Sequence, residues 1–115
     1  MALDTSDVKN WMNMFRWIVK TIRDEYGVDE AILTRGANIE QDIGLSIEQL
    51  EELVSTISKS FGIAFPDGAL DELVKLEELC MLSSWMAGLY QRPGFISDSF
   101  AAACMASNPL SKPAD

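Results

Sequence analysis

The sequence contains no histidine and only two cysteines, Cys80 and Cys104. Without histidine, the commonest general base and the commonest metal ligand are both missing. Long apolar runs are also absent. Stretches such as Cys80–Met81–Leu82 fall far short of a bilayer span, so membrane insertion is not expected. Residues 1–10 carry Asp4 and Asp7 and no apolar run, so they do not read as a signal peptide. The expectation is a cytoplasmic chain, in which two buried thiols fit better than a disulfide. Positive charge is scarce, with 9 Lys and Arg against 18 Asp and Glu and a net charge of −9. That balance disfavours nucleic acid and anionic membranes, and makes basic protein surfaces the natural complement.

What is present is enough for one core. The chain has 115 residues and is 48% hydrophobic, which fits a single ordered domain. Over residues 8–26, Trp11, Phe15, Ile18, Val19, Ile22 and Tyr26 recur at steps of three and four. This predicts an amphipathic helix with Asp7 as N-cap and Gly27 as C-cap. Residues 27–45 read as a long ordered loop pinned by Val28, Ile32, Leu33 and Ile39. A second helix is predicted over 47–60, with Leu50, Leu53, Val54, Ile57 and Phe61 on one stripe and Gly62 at its end. An extended exit and a helical turn near 69–73 lead to a helix over 75–90. That last helix is apolar on more than one side, with Met81, Leu82, Trp85 and Leu89 as a surplus face.

The tail offers a cover for that face. Ser97 or Asp98 can cap a short helix carrying Phe100 and Cys104, preceded by Phe95 and Ile96 and stopped by Asn108–Pro109. The alternative occupant is a second copy, dimerising through Trp85, Met86, Leu89 and Phe100. The expected organisation is an N-terminal tail over 1–7, a helical domain over 8–90, a helical extension over 91–109 and a disordered tail over 110–115. Trp11 is expected in the core. Trp17 and Trp85 lie off the main stripes and are left to the extension, a pocket or a partner.

The ordered set "EYGVDEAILT" (25–34), "DIGL" (42–45), "LVSTISKSFGIAFPD" (53–67) and "VKLEELC" (74–80) resembles the acyl carrier protein family over residues 8–88, without a gap. The resemblance implies an all-α, four-helix bundle of three main helices and one short one, with a long first loop. Here it would carry the C-terminal extension. It implies a non-catalytic module holding acyl or related thioesters on 4′-phosphopantetheine for a lipid, polyketide or peptide pathway. The family's loop reads Asp-Leu-Gly-x-Asp-Ser-Leu, and its serine bears the arm. Here the ungapped match puts Ser46 at the aspartate and Ile47 at the serine.

Two readings of Ser46 follow. It is either the attachment serine displaced by one residue, rotated about 100° around the helix axis, or the N-cap of the second helix. Ser46 with Gln49 three residues on fits a capping box, and this second reading needs no chemistry. The acidic group Glu40, Asp42, Glu48, Glu51 and Glu52, with Ile47 among it, reads by resemblance as a docking face. Its partners would be basic surfaces of acyltransferases, ketosynthases or a phosphopantetheinyl transferase. The resemblance also implies an acyl pocket, for which Val54, Ile57, Phe61, Ile63, Leu73 and Leu76 are the candidate lining. If no arm is attached, the fold and its acidic helix remain as an interaction or scaffolding module.

Overall fold

The computed structural model describes residues 8–110. The expected tail over 1–7, with the Asp7 cap, and residues 111–115 lie outside the described residues. The first helix, α1, spans Trp11–Tyr26 and is capped by Asn10, whose side chain accepts from the Asn13 amide at 2.9 Å. The cap is therefore Asn10 and not Asp7. Gly27, in the left-handed conformation, closes the helix as expected. The buried arc is Met14, Trp17, Ile18, Val19, Thr21 and Ile22, rotated from the expected stripe. Trp17 is the core residue, edge-on to Phe61 at 4.9 Å between ring centres. Trp11 is only half-buried, under the Arg35 guanidinium and beside Tyr90. Trp17 and Trp11 thus exchange their expected roles, because α1 is covered from two sides and its buried arc is centred on Ile18. Thr21 enters that arc by donating its hydroxyl to the Trp17 carbonyl at 2.8 Å.

The 27–45 segment is more ordered than a loop. It holds a 3-10 turn at Glu30–Ile32 and a π-type turn at Ile39–Ile43. Leu33 and Ile39 pin it, whereas Ile32 faces solvent at 43% exposure and pins nothing. An isolated antiparallel bridge between Asn38 and Lys75 stitches it to the start of the third helix. Its bonds run from the Ile39 amide to the Val74 carbonyl and from the Leu76 amide to the Ala37 carbonyl, both 2.9 Å. The second helix, α2, spans Ile47–Phe61 and ends at Gly62. A 3-10 turn at Ala69–Glu72 follows. The third helix, α3, spans Leu76–Met86 and is shorter than the 75–90 expected. It stops where Gly88 takes a φ of +78°, over which Leu110 returns. A β-carbon at Gly88 would sit 3.1 Å from Leu110 Cβ, so that crossing requires glycine.

The fourth helix, α4, spans Asp98–Ser107 under a Ser97 cap. Ile96, Phe100, Ala101 and Cys104 are buried in one cluster with the α1 and α3 cores. Asn108 locks the end of this segment. Its side chain accepts from the Ala64 amide and donates to the Ala64 and Cys104 carbonyls, at 2.8, 2.8 and 2.9 Å. The surplus face of α3 is therefore covered by the chain itself. Trp85 and Met86 are fully buried and Phe100 nearly so, which favours the tail over the alternative in which they meet a second copy. Leu110, assigned to the disordered tail, sits against Gly88.

Both cysteines are free thiols and fully buried. Cys80 donates to the Trp11 carbonyl at 3.2 Å, tying α3 to α1. Burial pushes its thiol up to about 12 and that of Cys104 to about 11. Unfolded thiols titrate near ~8.5, so below that pH the two states bind the same protons. Above it the unfolded chain loses protons that the folded chain keeps. Stability should therefore fall as pH rises from about 8.5 to 11, by up to about 1.4 kcal/mol per unit for each thiol. Urea midpoints at the two ends of this range, with Cys80→Ala/Cys104→Ala as the flattened control, check this.

Candidate functional site

The mouth of α2 is built by two interlocking caps. Ser46 Oγ accepts from the Gln49 amide at 3.1 Å, and Gln49 Oε1 accepts from the Ser46 amide at 3.0 Å. This closes a full capping box. Just before it, Asn38 Oδ1 accepts from the Glu40 and Gln41 amides at 3.0 and 2.8 Å, while Asp42 Oδ2 accepts from the Asn38 amide at 2.8 Å. Gly44, left-handed at φ +80°, turns the chain from the π-type turn toward Ser46. The Ser46 side chain is exposed. Ile47, the first residue of α2, is 68% exposed, the highest among the large apolar side chains described. An aliphatic knob thus stands at the helix mouth, where the backbone amides carry partial positive charge.

Ile47 also begins the wall of an open groove of about 610 Å3 between α2 and the segment 65–73. Leu50 and Val54 continue the α2 wall, and Phe65, Leu70 and Leu73 form the opposite one. Glu40, Glu51, Asp67 and Asp71 rim it, so the groove is apolar inside and acidic at its edges. Of the six expected acyl-pocket residues, Val54 and Leu73 line this space. Ile57 and Leu76 are fully buried and Ile63 nearly so, and Phe61 is packed against Trp17, so these four serve the core instead. Helical periodicity marks an inward face but does not separate core from groove. Phe65, Pro66 and Leu70 were missed, although the alternation of Phe61, Ile63 and Phe65 in the exit segment was a signal for them.

The expected docking acids also divide. Glu48 and Glu51 are exposed. Glu52 accepts from the Tyr26 hydroxyl at 2.9 Å, joining α2 to α1. Burial and the Glu52 contact push that phenol up to about 12. Asp42 is engaged as a cap. The helix-mouth face available to a partner therefore comprises Ile47, Glu48 and Glu51, with Glu40 beside them.

No protein-family model matches the chain. Curated proteins do. An acyl carrier protein of Guillardia theta is 30% identical over 69 residues, covering 60% of this chain and 85% of that protein. The chain belongs to the acyl carrier protein family. An acyl carrier protein of Campylobacter lari is 28% identical over 68 residues, covering 59% of this chain and 88% of its own length. One of Syntrophobacter fumaroxidans is 29% identical over 62 residues, 54% of this chain and 76% of that protein. As in the rest of the acyl carrier protein family, the chain is not an enzyme. No helix among the described residues is long and apolar enough to cross a membrane.

Proposed function

We propose that this acyl carrier protein homologue is a docking module that works without a pantetheine arm. Basic surfaces of acyltransferases, ketosynthases or related biosynthetic enzymes receive the Ile47–Glu48–Glu51 end of α2. The adjoining groove accepts an acyl chain or apolar side chain held by such a partner. The observation that carries this reading is the capping box. The hydroxyl of Ser46 is committed to the Gln49 amide, and the next position, where the family bears its serine, holds an isoleucine with no nucleophilic atom. 4′-Phosphopantetheine therefore does not fit the family's own attachment position here. The acidic face steers encounter and orientation, and its influence falls with salt.

A second reading has one observation in its favour. Ser46 is exposed and one residue from the groove, so it could bear the arm in a displaced position, for a lipid, polyketide or peptide pathway. The two readings differ in what restores modification. Ser46→Asp/Ile47→Ser rebuilds the family's Asp-Ser pair. Incubated with coenzyme A and a broad-specificity phosphopantetheinyl transferase, this variant should gain one arm by intact mass while the parent gains none. A rebuilt chain refused as firmly as the parent would mean that position 47 is not the deciding defect.

A further inference from the structure

Basic charge is not spread evenly over this acidic chain. Residues 8–23 hold Lys9, Arg16, Lys20 and Arg23, four of the nine Lys and Arg, and no Asp or Glu. Arg16, Lys20 and Arg23 lie at i, i+4 and i+7 of α1 and so form one row about 10 Å long. They edge a second groove, of about 580 Å3, whose floor is Phe15, Val19 and Leu33. Arg23 is paired with Asp24 at 3.0 Å and with Glu30, the acid on that rim, at 3.4 Å, leaving Arg16 and Lys20, both exposed, as the main cations. Two exposed apolar side chains lie close to its lining residues in sequence. Met12, one turn before Arg16, is 41% exposed, and Ile32, beside Leu33, 43%. None of these residues lines the α2 groove.

We infer that this α1 groove is a second docking surface, for an acidic amphipathic helix of a partner protein. A small anion would call for cations converging on a point, whereas these stand in a line. Their spacing matches carboxylates at i, i+4 and i+7 of a helix lying alongside. The floor asks that helix for its own free apolar stripe. A second copy of this chain supplies the acids of α2 but a poorer stripe, because Leu53 and Ile57 are fully buried and Leu50 and Val54 are half-buried in the wall of its own groove. The chain then presents an acidic face at α2 to basic partners and a basic, apolar trench at α1 to acidic ones.

The test uses the full chain and a synthetic helical peptide with glutamates at i, i+4 and i+7 beside a leucine stripe. Saturable amide shifts should appear at Phe15, Val19 and Leu33 in two-dimensional NMR. Arg16→Glu/Lys20→Glu, which changes exposed residues only, should weaken binding by about tenfold or more. A glutamine-for-glutamate peptide should lose a similar factor, and raising salt from about 0.05 to 0.5 M should weaken the parent complex. Shifts absent from these residues, or affinity unchanged in the charge-reversed variant, would overturn the assignment. So would concentration-dependent self-association abolished by the same variant, which would make the occupant a second copy. Anionic phospholipid vesicles that move these resonances when the peptide does not would make it a membrane.

Discussion

Trp85→Ala is expected to lower the free energy of unfolding by about 3–5 kcal/mol, the range for emptying a buried aromatic site. Trp85 is fully buried on α3, in the single cluster that joins α1, α3 and the terminal helix. That cluster draws on elements far apart in sequence, so a space left inside it is hard to close. A domain of this size holds about 5–15 kcal/mol in all, so the variant should unfold at a clearly lower denaturant concentration than the parent. Urea titration checks this, with Trp85→Phe as the milder control. A shift below about 1 kcal/mol would mean that the site is far less tightly enclosed than the structure shows.

Removing residues 95–115 is expected to be at least as damaging. Ile96 and Phe100 each contribute about 1.5–3 kcal/mol through burial, and the three hydrogen bonds of Asn108 add roughly 1 kcal/mol each. The shortened chain should bind a hydrophobic dye, lose a cooperative transition, and self-associate through the uncovered Trp85 and Met86. Asn108→Ala alone should cost about 2–3 kcal/mol and speed hydrogen exchange at the Ala64 amide. A shortened chain that stays monomeric and melts like the parent would show the tail to be dispensable.

The helices were legible because their signals are local. Gly27 and Gly62 end α1 and α2, and Ser46 begins α2, as read from the sequence. The all-α bundle and its acyl carrier protein kinship followed from the order of these pieces. Long-range pairing was not legible. Nothing local in "RGANIEQDI" shows that Asn38 bridges Lys75. Nor does spacing reveal that Glu52 is held by Tyr26, or that α1 turns Trp17 inward toward Phe61. At the candidate site, Ser46, Ile47 and the acids of α2 could be named in advance, because the helix start fixes them. The groove was legible only in part: Val54 and Leu73 were named, but Phe65 and Leu70 of its far wall meet α2 only after the exit segment folds back.

In the proposed function, Ser46 caps α2 and bears no arm. The most direct measurement is the intact mass of the unaltered chain after incubation with coenzyme A and a broad-specificity phosphopantetheinyl transferase. An ordinary acyl carrier protein and Ser46→Ala are run alongside. The expected result is an unchanged mass for this chain while the ordinary carrier is fully converted, with Ser46→Ala less stable by about 1 kcal/mol through loss of its cap. One arm added to the parent and none to Ser46→Ala would contradict the account and make Ser46 the attachment serine.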